Sequence, residues 1–181
     1  MINKWITIDD VQVDNFKIFD MHRVKRKSRD TGREGDFVYL NSAHWVNIIP
    51  ITKAGNIVLI KQYRHGTDDI TIEIPGGLVE HKEFPRLAGE RECTEETGYF
   101  SPENAEYLGE TLPNPAFLNN ICYSYVWRNV ELKYEQNLDR HEEIMVFEKS
   151  FAEVKDLINE GKINHSLVLN AFFYYFLKYG F

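Results

Sequence analysis

At 181 residues, 43% hydrophobic and 27% charged, the chain is long enough to bury a core and has the composition of an ordinary globular domain. Its 21 basic against 28 acidic residues leave a net charge of −7, which speaks against a general nucleic-acid binder, because that class carries a positive face. No stretch approaches the roughly 18 apolar residues of a membrane span, the start Met1-Ile2-Asn3-Lys4-Trp5 lacks the apolar run of a signal peptide, and Cys93 and Cys122 make neither a metal spacing nor a disulfide framework, so one cytoplasmic domain is expected over 1–181.

In chain order, residues 5–27 alternate apolar and polar in places, at Phe16, Ile18, Met21 and Val24, which suits strands or a hairpin. The basic run Arg23, Lys25, Arg26, Lys27, Arg29 and Arg33 follows, with Gly32 and Gly35 marking a turn. It reads either as the solvated face of a hairpin or as a surface that steers phosphate. Residues 36–40 and 45–52 read as strands, Ala54-Gly55-Asn56 as a turn and Ile57–Ile60 as a buried strand leading into Lys61-Gln62-Tyr63-Arg64-His65. A further strand, 70–74, enters Pro75-Gly76-Gly77.

Residues 76–99 organise the rest. Pro85 suits a first helical turn, and Gly98 suits the position just past the end, where a left-handed conformation closes the helix. Ala88, Gly89 and Cys93 form a small-residue core face; Gly89 costs about 1 kcal/mol against Ala in a helix, which is accounted for if the helix lies close to a sheet. Glu95, Glu92 and Glu96 fall within an arc of roughly 100°, and Glu92 and Glu96 stack at i,i+4. Like charges so placed repel, and a hard cation between them resolves the conflict, since Mg²⁺ or Mn²⁺ prefers carboxylate oxygens.

After the helix, a strand is expected around 107–109, then a loop from Leu112 to Asn120 containing Pro113 and Pro115. Residues 121–129 read as a strand that puts Tyr123, Tyr125 and Trp127 on one face. The polar loop Asn137–Glu143 precedes a strand at 144–147. Ser150 and Glu153 form a capping box for a helix ending at Asn159 and closed by Gly161. Ser166–Tyr179 reads as a last helix, apolar nearly all round, suited to core packing or to a partner subunit. Strands alternating with two or three helices suggest an α/β or α+β fold.

Gly77, Glu83, Arg91, Glu92, Glu95, Glu96 and Gly98 match every fixed position of the signature G-x5-E-x7-R-E-U-x-E-E-x-G-U, with Cys93 and Tyr99 departing at the two bulky aliphatic positions. The stretch therefore resembles the Nudix hydrolases. Gln62-Tyr63-Arg64, Glu73-Ile74-Pro75-Gly76-Gly77 and Pro115, sixteen positions past Tyr99, are similar to the branch that cleaves ADP-ribose and nucleoside diphosphate sugars. The resemblance implies an α/β/α sandwich with a mixed sheet (43–181) and an additional N-terminal antiparallel sheet (1–42) that dimerises and completes the substrate pocket. It implies Mg²⁺ or Mn²⁺ on Glu92, Glu95, Glu96 and the Gly76 carbonyl, and Arg91 paired with Glu83 to support the box around Gly77. Arg64, Glu73 and Pro115 are expected at the substrate. Glu142, then Glu143, with Asp139 behind them, are the candidates to activate water, with Glu96 beside them in the catalytic set. Trp5, Tyr39 or Trp45 are candidates to stack on a base. A small nucleotide substrate and a homodimer are the expected partners. A Nudix enzyme for dinucleoside polyphosphates, coenzyme A or capped RNA stays open, as does a non-catalytic nucleotide sensor.

Overall fold

The computed structural model describes residues 2–180, which fall into two compact units. One unit holds the residues up to Ala43 together with Leu112–Ile121; the other holds His44–Thr111 and the chain from Cys122.

The first unit is a meander of three antiparallel strands, β1 (Ile6–Phe16), β2 (Phe19–Lys27) and β3 (Glu34–Ser42), in the order β1-β2-β3. The turn between β2 and β3 closes with Ser28 N donating to Arg33 O at 2.8 Å, and Gly32 supplies the left-handed backbone there at φ 70°. Two β-bulges interrupt β1, which is exposed along its whole length. Of the basic run, Lys25 and Lys27 reach Glu34 at 3.2 and 3.5 Å, and Arg29 Nε donates to Lys4 O. Such exposed pairs contribute about 1 kcal/mol at most. The inserted segment docks on the edge of β3, where Leu40 N donates to Phe117 O at 2.7 Å.

The second unit is a mixed sheet covered on both faces. Its strands are β4 (Trp45–Thr52), β5 (Ile57–Arg64), β6 (Asp69–Glu73), β7 (Gly76–Leu78), β8 (Tyr99–Phe100), β9 (Glu106–Thr111), β10 (Cys122–Leu132) and β11 (Ile144–Lys149). Strands β11-β5-β4-β10-β8 lie side by side, β9 pairs with β10, and only β4 and β10 run parallel. The helices are α1 (Pro85–Thr97), α2 (Phe151–Asn159) and α3 (Ser166–Tyr179).

Period-2 alternation sorts the strand residues between the two helical layers. Val46, Ile48, Val58, Tyr125 and Trp127 pack with Ala88 and Cys93 of α1. Ile49, Ile51, Ile57, Leu59 and Val126 pack with Val154 of α2 and with Val168, Ala171 and Phe172 of α3. This is the α/β/α sandwich, and the additional three-stranded antiparallel sheet is present as well. Tyr123, Tyr125 and Trp127 share the α1 face as their spacing predicts. The capping box of α2 forms with both of its hydrogen bonds. Core packing accounts for one side of α3 only: Leu167, Val168, Ala171, Phe172 and Tyr175 are buried, whereas Phe173 and Leu177 are exposed. No helix of the described residues is long and apolar enough to cross a membrane.

Candidate active site

β6 and β7 form a split in the sheet: β6 pairs with β5, β7 pairs with β4, and Pro75 lies between them. Ile48 N donates to Pro75 O at 3.0 Å, which seats the turn against β4. A side chain is excluded at the first of the glycines that follow, and at the second it would have to displace a flexible carboxylate. A Cβ on Gly76 would meet Val46 O and the Asn47 side chain, and one on Gly77 would meet the carboxylate of Glu92.

From there the chain loops to α1. Pro85 occupies the first turn, and Gly98 closes the helix at φ 75°, its N–H donating to Thr94 O. Ala88, Gly89 and Cys93 are buried, and a Cβ on Gly89 would stand 3.1 Å from Val46 Cγ2, so α1 does lie close on β4. Further along the helix the same side of α1 meets the glycine loop, with Glu92 against Gly77 and Glu96 buried beside Gly76. Glu96 is 4% exposed, with Gly76 N donating to its Oε2 at 3.0 Å. The Glu92 and Glu95 side chains are progressively more open.

Arg91 knits these groups together. Its Nε and Nη2 donate to the two oxygens of Glu83 at 3.0 Å each, its Nη1 to Glu92 at 2.9 Å and Glu95 at 3.0 Å, and its Nη2 to Leu78 O at 3.1 Å. A planar fork with five donors suits this task; a Lys, a single point charge, would not reach the same set.

The charges are poised for a cation. Burial pushes the Glu96 carboxyl up to about 8, the Gly76 N–H opposing and the charges of Glu92 and Glu142 adding to the rise. Glu92 is raised by burial too, against the pull of Arg91 and with further help from Glu95 and Glu142. Two carboxyls held above their ordinary range, beside a glycine cradle that leaves their oxygens room, form a hard oxygen donor set of the kind that suits a divalent cation. Among the described residues no three such side chains already stand together as a metal cluster. Arg91 holds Glu92 and Glu95.

Gly77→Ala tests the cradle. The added methyl displaces a flexible carboxylate and no backbone. We expect the variant to fold, with a change in melting temperature of about 2 °C or less. Its affinity for Mn²⁺, read by calorimetry, should fall about 10–100-fold, the usual cost of disturbing how a ligand is held.

Arg64 and Glu73 face each other across β5 and β6. Arg64 Nε donates to Glu73 Oε1 at 2.8 Å and Nη2 to Oε2 at 2.7 Å, while Thr71 Oγ1 donates to Oε1 at 2.6 Å. Glu73 is 2% exposed. Its burial alone would raise it, but hydrogen bonds from Arg64, His165 and Thr71 and the Arg64 charge outweigh that and hold it far below the usual carboxylate range. The Arg64 guanidinium also feels Glu96 and Glu142, which ties this pair to the carboxylate group on α1.

The loop before β11 is fastened to the end of α1. Lys133 N and Tyr134 N donate to Gly98 O, Asn137 N donates to Glu95 O at 2.8 Å, and Gln136 Nε2 donates to Glu96 O at 2.7 Å. These bonds satisfy carbonyls that a helix end leaves open. The turn from Asp139 closes on Glu142, whose Oε2 accepts from Asp139 N at 3.0 Å. Glu142 and Glu143 are both exposed, and the Glu142 charge acts on Arg64, Glu92 and Glu96. Pro115 belongs to the first unit, exposed at the turn in which Leu118 N donates to Asn114 O.

Two contacts escaped the sequence reading. Gln136 is one. The other is His165, immediately before α3, whose Nδ1 lies 2.9 Å from Glu73 Oε2. Its one sequence signal is a histidine at a helix-capping position in place of Ser, Thr, Asp or Asn.

The glycine loop, the carboxylates of α1 and the loop fastened to the end of that helix make up the candidate site. The chain belongs to the Nudix family: the NUDIX domain model matches residues 43–172. It is 34% identical over 127 residues to the methanol dehydrogenase activator of Bacillus methanolicus, covering 70% of this chain and 68% of that one. It is 24% identical over 173 residues to the ADP-ribose pyrophosphatase of Bacillus subtilis (strain 168), covering 95% and 92%. A crystal structure of an ADP compounds hydrolase superposes with a TM-score of 0.85 at 19% identity, covering 99% of this chain and 98% of that one, which shows a shared fold.

Proposed function

We propose that the chain hydrolyses the diphosphate linkage of ADP-ribose or a related nucleoside diphosphate sugar, giving a nucleoside monophosphate and a sugar phosphate. The observation that carries this reading is the Arg64–Glu73 pair set in the same electrostatic field as Glu96 and Glu142. A guanidinium so paired suits phosphate oxygens, and its coupling to those carboxylates supports reading it as the phosphate fork. Relatives that match most of the chain, one of them called an ADP-ribose pyrophosphatase, support it.

Glu92, Glu95, Glu96 and the Gly76 carbonyl would hold Mg²⁺ or Mn²⁺. When bound, such an ion neutralises diphosphate charge and lowers the pKa of its water. Arg64 pairs its remaining N–H groups with phosphate oxygens, where bidentate, charge-assisted bonds fix orientation. Glu142 takes the proton of the attacking water as the new P–O bond forms and the bridging P–O bond breaks. Arg91, through Glu83 and Leu78 O, keeps the glycine loop and α1 in register, and Glu92 and Glu95 would be the carboxylates it shares with the ion. We assign the site a small-molecule nucleotide substrate, since the net charge of −7 disfavours RNA.

The three-stranded sheet supports a homodimer. Ile6, Ile8, Val11, Val13 and Phe16 of β1 and Phe37 and Val38 of β3 are all exposed, more apolar surface than a free sheet edge tolerates well. A second copy is the occupant we assign, to be read as a doubled mass in solution. A reducing, cytoplasmic setting suits the two unbridged buried cysteines, Cys93 and Cys122.

The test is a substrate panel with Mg²⁺ and with Mn²⁺: ADP-ribose, ADP-glucose, GDP-mannose, UDP-glucose and diadenosine polyphosphates. We expect the sugar diphosphates to be cleaved at least about tenfold better, in kcat/KM, than the polyphosphates. Preference for the polyphosphates would move the chain to another branch of the family.

A further inference from the structure

Glu73 carries more hydrogen bonds than a surface carboxylate would need. Oε1 accepts from Arg64 Nε and Thr71 Oγ1; Oε2 accepts from Arg64 Nη2 and lies 2.9 Å from His165 Nδ1. An ionised carboxylate offers about four lone-pair sites and donates nothing, so all four are filled and the His165 Nδ1 must carry the proton in that contact. Two of the donors form the Arg64 fork. The other two come from elsewhere: Thr71 from the same strand, and His165 from the start of α3, ninety-two residues along the chain.

The geometry points to His165 as a positioning residue for substrate: it holds the Glu73 carboxylate in the one plane that aims the Arg64 guanidinium at the diphosphate. This rests on the reading of Arg64 as the phosphate fork. A carboxylate held by the fork alone can rotate and tilt with it. Fixing the second lone pair of each oxygen, one from β6 and one from α3, removes that freedom. The Glu73 side chain is 3% exposed, so water does not replace a lost donor cheaply, whereas the His165 side chain is 34% exposed and can be changed without opening the core. Because α3 also packs on the sheet through Val168 and Ala171, its first turn has little freedom to withdraw the imidazole. His165 touches no reacting atom; its influence passes through Glu73 to Arg64.

The experiment compares His165→Ala and His165→Asn, the second placing an amide donor near the former Nδ1. ADP-ribose binding to the metal-free protein is measured by calorimetry, and steady-state kinetics are run with Mg²⁺. We expect His165→Ala to weaken binding and raise KM on the order of tenfold, the size of one lost hydrogen bond to a charged group, with kcat nearly unmoved. His165→Asn should recover most of the loss. In an Arg64→Ala background, His165→Ala should add little, since no fork is left to aim. Equal losses in the Ala and Asn variants, an undiminished loss in the Arg64→Ala background, or no loss at all would overturn the inference. Binding that follows the expected pattern in a protein that cleaves none of the panel would sink the hydrolase reading and leave His165 in its assigned role.

Discussion

Replacing Glu96 by Gln is expected to abolish turnover and, at the same time, to stabilise the metal-free protein. The amide keeps an oxygen to accept from Gly76 N but cannot serve a cation as a charged ligand. Losing several kcal/mol of charge stabilisation corresponds to a fall in kcat/KM of about three orders of magnitude or more. The stability effect has the opposite sign. The folded carboxyl sits at about 8, above its ordinary 4.5. Between those two values the folded protein holds a proton that the unfolded chain has released, so stability falls as pH rises through this window. Near pH 7 that cost is on the order of 2–3 kcal/mol, and Gln does not carry it. A rise of about 4–12 °C in the melting temperature of the metal-free variant is expected. It should disappear below pH 4.5, where Glu96 is protonated in both states. By the same linkage, cation binding must displace this proton, so Mn²⁺ affinity of the wild-type chain should climb with pH up to about 8 and level off above it. Thermal melts and calorimetry across pH 5–9 check both statements; an affinity independent of pH would remove Glu96 from the ligand set.

Arg64→Ala should do damage of a different kind. It strips two of the four donors from a carboxylate that is 2% exposed. Breaking a buried pair costs about 3–5 kcal/mol; with 42% of the Arg64 side chain open to solvent, about 2–3 kcal/mol is the better expectation. That corresponds to a fall of about 4–12 °C in melting temperature. The pH dependence follows from Glu73, whose folded pKa is depressed. Its contribution is present above the unfolded value of 4.5 and is lost as pH falls through the lower folded value. The variant should therefore differ most from wild type above pH 5 and converge with it in acid. Losing the fork should also raise KM for ADP-ribose by about two orders of magnitude. Arg64→Ala combined with Glu73→Gln should recover stability but not KM, because the amide relieves the stranded charge without restoring a phosphate ligand.

The site was legible where it lies within one continuous stretch. Gly77 through Gly98 is a local device: glycines at a close approach, a helix with a marked start and end, carboxylates on one arc. Each of those features depends on neighbours within a turn or two. The alternation in β4 and β5 and the small-residue face of α1 could be read for the same reason. What was not legible is what long-range contacts decide. The expectation set Arg64 and Glu73 separately at the substrate, whereas they hold each other across two strands. Gln136 and His165 reach their partners across 40 and 92 residues, and a side chain meeting a distant group leaves no period in the sequence. The short strands β7 and β8 escaped because three and two residues are too few for alternation to register. The open face of α3 was hidden in a helix whose apolar residues surround the axis, so that composition alone could not say which side the sheet would take.

The most direct test is the phosphorus-31 spectrum of ADP-ribose incubated with the protein and Mg²⁺, with Glu96→Gln in a parallel tube. The account predicts that the paired diphosphate resonances give way to two phosphomonoester signals, AMP and ribose 5-phosphate, and that the variant leaves them untouched. Diphosphate signals that persist in the wild-type tube, with ADP-ribose nevertheless bound saturably, would contradict it and make the chain a nucleotide sensor.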